Sequence, residues 1–286
     1  MELCSDYSNG MLFHLFKLAQ HGALLNEIDH KKGLDTMKKV LITGCSSGFG
    51  LETARYFLDQ GWSVVATMRT PKADVLPSSP RLRLLALDVT DPQSIRNAIE
   101  EAGPIDALVN NAGIGWLNAL EGTPMEIARE IFETNTLGTI AMTQAVLPQF
   151  RERKAGVIVN VTSTVTMKPL HLLSVYTASK AAINALTEVL ALEMAPFNVR
   201  VRIVLPGRAP ETSFGQNARV RMTAAGGIAK AYEDLANGIF ARWAEETTAI
   251  TRPPAVAEAI WRAVTDENSP FRIPAGADAV ALANAS

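Results

Sequence analysis

From Met37 onward, short apolar runs rich in β-branched residues alternate with longer segments of helical periodicity, and this alternation constrains the fold more than any other feature of the chain. Apolar runs at 39–43, 63–67, 82–87, 107–110, 157–161 and 199–205, with a short one at 271–273, read as strands; segments at 49–60, 92–101, 124–153, 175–195, 212–246 and 255–264 read as helices. Strands that are apolar on both faces must be covered on both, and a helix between consecutive strands favours parallel pairing. The expected class is α/β: a doubly wound parallel sheet flanked by helices on both faces. Such a sheet places its ligand crevice at the carboxyl ends of the strands.

At about 150 residues per domain, 286 residues suggest two domains, but single α/β domains of about 250 residues are common. No internal repeat, low-complexity tract or Pro/Gly/Ser-rich linker divides the sequence, so residues 37–286 are read as one domain. Residues 1–36 are set apart as an N-terminal extension: Met11, Leu12, Phe13, Leu15, Phe16 and Leu18 form an apolar cluster, followed by a polar stretch. Three readings compete for it: a frayed appendage, an amphipathic helix docked on the body or a partner, and an upstream start. The final residues, 275–286, are small, polar or alanine-rich and are expected to fray.

Charge excludes some functions. Lys and Arg number 27 against 29 Asp and Glu, without any block of like charges, so no nucleic acid and no membrane surface is expected as partner. Two cysteines, Cys4 and Cys45, supply neither a disulfide framework nor a multi-thiolate zinc site and suit a reducing, cytoplasmic compartment. His14, His21, His30 and His171 lack metal-ligand spacing, and no metal is expected. No apolar run is long enough for a transmembrane helix, and Glu2 and Asp6 near the start do not suit a secretory signal.

Between the first strand and first helix lies Thr43-Gly44-Cys45-Ser46-Ser47-Gly48-Phe49-Gly50. Glycines there let the backbone turn tightly and approach a pyrophosphate, while the helix N-terminus offers unpaired N–H groups and partial positive charge. The position between strand and helix makes this a dinucleotide-binding loop; Cys45 reads as a small spacer. After the second strand the sequence runs Ala66-Thr67-Met68-Arg69-Thr70, with no carboxylate for a ribose 2′-hydroxyl. Arg69 is either a fork for a 2′-phosphate, which favours NADP with NAD still possible, or a solvated surface arginine.

Tyr176 and Lys180 stand four residues apart at the start of a long helical segment and so share a face. A neighbouring cation draws a phenol toward the neutral range, as an acid–base group requires; alternatively, ring and aliphatic stem simply pack. Ser163, thirteen residues before Tyr176, follows the fifth strand, where its hydroxyl can hold a substrate oxygen.

Together with Asp88-Val89 after the third strand, Asn110-Asn111-Ala112-Gly113 after the fourth, Asn135 in the next helix and Pro206-Gly207 after the sixth, these residues resemble the short-chain dehydrogenase/reductase family, in its compact single-domain branch. The resemblance covers residues 38–275. It implies a Rossmann-type fold and an NADP(H)-preferring oxidoreductase that moves a hydride between nicotinamide and a carbonyl or secondary alcohol carbon. Tyr176 is then the proton donor or acceptor, Ser163 the binder of the substrate oxygen, and Asn135 the anchor of a water in the proton relay. Lys180 lowers the Tyr176 pKa and holds the nicotinamide ribose.

By the same likeness, Gly44, Ser46, Ser47, Gly48, Phe49 and Gly50 cradle the pyrophosphate and Arg69 occupies the NADP-type position. Asp88 and Val89 meet the adenine; Asn110, Ala112 and Gly113 line the cofactor, joined by Pro206 and Gly207. Asp88 could otherwise cap the helix near Pro92, Asn110 and Asn111 satisfy a turn, and Asn135 stabilise a helix irregularity. Thr212 comes five residues after Gly207, one more than the family commonly has, which leaves its contact with the cofactor carboxamide less secure. Residues 214–243, with Met222, Ile228, Tyr232, Phe240 and Trp243, fall where the family keeps its substrate lid, and their apolar content points to an apolar carbonyl or alcohol substrate. His171 near this pocket could touch substrate or do nothing there. A homodimer or homotetramer through the helices at 124–153 and 175–195 is implied as well. The rival readings are an NADP-binding regulatory module of the same fold without turnover, which would not need the Ser163, Tyr176 and Lys180 set, and a nucleotide-sugar isomerase or dehydratase, which the chain length and glycine spacing do not suit.

Overall fold

A computed structural model describes residues 37–245 and 249–285; the reading of residues 1–36 lies outside the described residues. Seven strands, β1 (Lys39–Ile42), β2 (Ser63–Met68), β3 (Leu82–Ala86), β4 (Ala107–Asn110), β5 (Gly156–Val161), β6 (Val199–Pro206) and β7 (Arg272–Ala275), form one parallel sheet in the order β3-β2-β1-β4-β5-β6-β7. The chain winds outward from β1 through β2 to β3, then returns to place β4 on the other side of β1, in the register Val40↔Ala107. The crevice between the diverging β1 and β4 loops is the topological switch point of the sheet.

Both faces are covered, as continuous apolar strands require. On one face, α1 (Gly48–Asp59) and α8 (Pro253–Thr265) pack Ala54, Phe57, Leu58, Val256 and Ile260 over β1, β4 and β5. Phe57, Trp62 and Trp261 lock this layer edge to face, with ring centroids 5.0 to 5.7 Å apart. On the other face lie α2 (Pro92–Ala102), α4 (Gly138–Arg153) and α5 (Ser174–Met194), which contribute Ile95, Met142, Phe150 and Leu190.

Three segments depart from the sequence expectation. The single helix expected over 124–153 is α3 (Met125–Phe132), a π-turn (Glu133–Leu137) and then α4. Asn135 lies within that turn: its Nδ2 donates to the Ile114 carbonyl (3.0 Å) and the Ser179 hydroxyl (3.1 Å), while its Oδ1 accepts from Ile114 N (2.8 Å). These bonds reward the extra residue in the helical turn, and π-bulges occur at functional sites for such reasons. The expected helix over 212–246 breaks into α6 (Ser213–Ala224) and α7 (Glu233–Glu245), because Gly226 (φ +96°) and Gly227 (φ +76°) adopt a conformation that ends a helix.

The third departure is the C-terminal segment, expected to fray. It forms α9 (Ala277–Asn284), with Ala279 fully buried. Asp278 fastens it: its carboxylate accepts from Arg208 N (2.6 Å) and from the Thr251 hydroxyl (2.6 Å), and that hydroxyl in turn accepts from Gly207 N (3.0 Å). Removing this carboxylate takes the acceptor from Arg208 N, while the Thr251 hydroxyl is left with the Ala275 carbonyl (3.0 Å) alone. Asp278→Ala is expected to lower the unfolding free energy by about 1–3 kcal/mol, measured by urea titration, and to do so without changing the m-value.

Candidate active site

A cleft of about 900 Å³ runs along the carboxyl edge of the sheet, lined by Ser46, Ser47, Gly48, Arg69, Asp88, Ser163, Tyr176 and Lys180 among others. The glycine loop is fixed against the β4 loop. Asn111 Nδ2 donates to the carbonyls of Thr43 (2.9 Å) and Gly44 (3.2 Å), and the Thr43 hydroxyl accepts from Asn111 N (3.0 Å) and Ala112 N (2.9 Å). So close an approach admits no side chain: a Cβ at Gly44 (φ +75°) would lie 2.8 Å from Ala112 Cα, and one at Gly50 2.3 Å from the Gly44 carbonyl. Ser47, the residue before α1, makes no side-chain cap bond, so the first N–H groups of this twelve-residue helix are left for a ligand. Gly50 is buried behind the loop and gives it room, whereas Gly44, Gly48 and Phe49 face the cleft. The cradle therefore fits a pyrophosphate. Cys45 is buried, donates to the Ile42 carbonyl (3.3 Å) and has its thiol pushed up to about 12 by burial, which makes it an inert spacer.

Arg69 follows β2 at the cleft wall, and among the described residues no hydrogen bond or ion pair occupies its guanidinium. Asp88 does not cap α2, a place taken by Asp91, whose side chain accepts from Gln93 N (2.8 Å). Its carboxylate accepts instead from Thr90 N (2.9 Å) and Oγ1 (2.7 Å), bonds that hold it below the usual range, with the Arg69 charge adding to the effect. Val89 lies under Gly138, where a Cβ would approach it to 2.8 Å.

Besides Gly50, two expected site residues lie outside the wall. Asn110 points beneath it, donating to Thr143 Oγ1 (3.1 Å) and Asn160 Oδ1 (2.9 Å); Asn111, its neighbour, does the work in the loop. Asn135 also sits behind the wall, with its carboxamide bonded to Ile114 and Ser179. Its Oδ1 and the Lys180 ammonium would stand 3.2 and 3.4 Å from a Cβ at Gly113, so a side chain there would press on both.

Tyr176 and Lys180 lie on the first turns of α5, both buried, with Ser163 beside them at the end of β5. Burial pushes the Tyr176 phenol up to about 12 against a hydrogen bond with the Ser163 hydroxyl that favours its anion. Lys180 donates to the Val161 carbonyl (3.0 Å), and burial pulls its ammonium down to about 8. Desolvation thus dominates both groups and moves Tyr176 in the direction opposite to the lowering expected from Lys180.

Pro206, Gly207 and Thr212 line the cleft on the far side; Thr212, whose hydroxyl donates to the Ala209 carbonyl (2.9 Å), begins α6. Of the lid residues, Phe240 and Trp243 reach the cleft, while Met222, Ile228 and Tyr232 pack into satellite clusters. His171 is exposed and outside the lining. Asp278 was not expected in the wall at all, since nothing in an alanine-rich segment marks it as reaching back to Arg208.

The model of the short chain dehydrogenase family matches residues 38–222. The chain belongs to the short-chain dehydrogenase/reductase family. It is 35% identical over 245 residues to a 3-ketodihydrosphingosine reductase of Bacteroides thetaiotaomicron, an alignment spanning 83% of this chain and 87% of the relative. A crystal structure of a short-chain dehydrogenase from Streptomyces avermitilis superposes with a TM-score of 0.72 at 31% identity, covering 87% of this chain and 92% of that one. One from Burkholderia cenocepacia, in complex with NADP, gives 0.68 at 26% identity over the same shares. The protein is accordingly a dehydrogenase/reductase of this family.

Within this dehydrogenase/reductase the buried Lys180 has a consequence for stability. Its folded pKa of about 8 lies below the ordinary 10.5, so the cost of burying the ammonium is present in full below pH 8 and relieved as pH rises toward 10.5. Between pH 7 and 10 the wild type is expected to gain on the order of 2 kcal/mol relative to Lys180→Met, measured by denaturant unfolding at each pH.

Proposed function

We propose that this enzyme is an NADP(H)-preferring reductase or dehydrogenase acting on a carbonyl or secondary alcohol, with Tyr176 as the acid–base group. When bound, the nicotinamide nucleotide supplies or accepts the hydride. The observation that carries the reading is the meeting of Ser163, Tyr176 and Lys180 in one cleft with the glycine cradle.

In this reading the α1 N-terminus and the loop from Gly44 to Phe49 hold the pyrophosphate, while Arg69 pairs with a 2′-phosphate through its unoccupied fork. Asp88 and Val89 flank the adenine. Ser163 holds the substrate oxygen by its hydroxyl, and Tyr176 hands that oxygen its phenolic proton in reduction or takes it back in oxidation. With its phenol near 12, Tyr176 carries that proton throughout the neutral range, which suits reduction. Lys180 supplies a cation to the phenolate left behind and a donor for ribose hydroxyls; Asn135 positions the Ile114 loop and Ser179 beside it. An apolar ketone as substrate is supported by the cleft residues Leu117, Leu170, Leu173, Phe240 and Trp243, and by the likeness to the 3-ketodihydrosphingosine reductase. A homodimer or homotetramer belongs to the same reading, supported by Val189 and Leu192, which α5 exposes at 55% and 76%.

Titration by nucleotide fluorescence is expected to give tighter binding of NADPH than of NADH, by at least about tenfold, and Arg69→Asp is expected to remove that difference. Equal affinities in the wild type would assign the 2′-position to another residue. Tyr176→Phe is expected to keep NADPH affinity and lose at least about a hundredfold in turnover of a ketone; wild-type turnover in that variant would overturn the mechanism.

A further inference from the structure

One residue of α6 stands directly against Tyr176. Phe214, in the first turn of α6, places its ring centroid 5.6 Å from that of Tyr176, with the planes inclined at 58°. Its other side rests on Gly115. A Cβ there would stand 2.8 Å from Phe214 Cε1 and 3.0 Å from Cζ, with the Ala218 methyl next at 3.2 Å. The ring is thus fitted into a notch that only a glycine provides, and it forms part of the wall of both the main cleft and an adjoining hollow of about 320 Å³.

Phe214 is also held. At the start of α6 the Ser213 hydroxyl meets that of Ser47 in the glycine loop (3.0 Å). Toward its end, Arg221 makes a bidentate pair with Glu130 of α3, at 2.7 and 2.8 Å. Bidentate pairs of this kind fix orientation as well as distance. With both ends of the helix tied to the body, the ring is a fixed part of the pocket wall. Tyr176 itself is only 7% exposed, while Phe214 is 38% exposed, so the ring lies against the buried phenol and still contributes to the cleft wall. Away from the ring the cleft continues between Leu117, Leu170, Leu173, Phe240 and Trp243.

The geometry points to Phe214, seated on Gly115, as the specificity-determining roof of the reaction site: it admits a carbonyl whose near substituent is slender and sends an unbranched apolar arm along the Leu117–Trp243 side, and it refuses carbonyls branched at the adjacent carbon. This rests on the proposed reduction at Tyr176 and names the shape of its substrate. Apolar pockets discriminate on added bulk by about 10- to 200-fold, the range in which such a roof acts.

Two measurements separate the roof from the reaction. The first needs no turnover: nitration of Tyr176 by tetranitromethane in the nucleotide-free protein, read by peptide mass spectrometry with Tyr56 and Tyr232 as internal references. Phe214→Ala is expected to speed nitration of Tyr176 at least about tenfold relative to those two, and an unchanged rate would overturn the roof. The second compares kcat/KM for 2-octanone and for 2,2-dimethyl-3-octanone with NADPH and with NADH. Phe214→Ala is expected to raise the branched-to-slender ratio at least about tenfold; a ratio equal to wild type overturns the assignment. Gly115→Ala, which forces the ring from its notch, is expected to lower kcat/KM for the slender ketone, and the double variant Gly115→Ala/Phe214→Ala to recover most of that loss, since the clash is chiefly with the ring. Failure to recover counts against the pair. If the wild type reduces neither ketone with either nucleotide, the proposed reaction fails on these substrates, and the nitration rates then decide whether Phe214 covers Tyr176.

Discussion

The clasp between the β1 and β4 loops is the interaction on which the rest of the cleft depends. At the switch point two adjacent strands send their chains in opposite directions, and the gap between them exposes main-chain groups that the sheet no longer satisfies. Asn111 and Thr43 satisfy four of these across the gap, using one carboxamide and one hydroxyl. The glycine loop can then remain open toward the cleft without collapsing, and Gly113, two residues after Asn111, is delivered close to both Asn135 and Lys180. One pair of polar side chains thus sets the phosphate cradle and the floor beneath the acid–base residues together.

Burial, more than mutual attraction, governs the charges of the site in this state. The phenol of Tyr176 and the ammonium of Lys180 both move toward neutrality, so that Lys180 gives up its proton at a lower pH than Tyr176 does. A neutral phenol and an ammonium so buried respond strongly to any charge brought beside them, because the same low dielectric that penalises an isolated ion amplifies its partner's field. The π-turn contributes here too: by binding Ser179 and the Ile114 backbone, Asn135 keeps the helix that carries Tyr176 and Lys180 in register with the β4 loop.

The sheet, its covering helices and the meeting of Ser163, Tyr176 and Lys180 were legible in the sequence because each rests on local signals: apolar runs, a glycine loop between strand and helix, a four-residue spacing. What escaped depends on contacts remote in sequence. The π-turn is invisible to a periodicity that stays helical through Asn135, and the lid break needs the positive φ of Gly226 and Gly227, which two glycines permit but do not dictate. Asn110 and Asn111 are the same residue type in adjacent places, and only the pleat of β4 turns one beneath the sheet and the other into the loop. Asp278 lies 70 residues from its partner Arg208, with no local pattern to announce the bond.

That last bond also orders events in time. During synthesis the glycine cradle, Ser163, Tyr176 and Lys180 emerge well before β7 and α9, and the carboxylate that joins Arg208 N to the Thr251 hydroxyl arrives only with α9, after Thr251 can already bond Gly207 N and the Arg208 carbonyl. A nascent chain on the ribosome therefore carries the chemical groups of the site while one wall still lacks part of its tether. Completion of the cleft is coupled to the docking of residues made long after its chemical groups, and α9 contributes a late bond to its maturation.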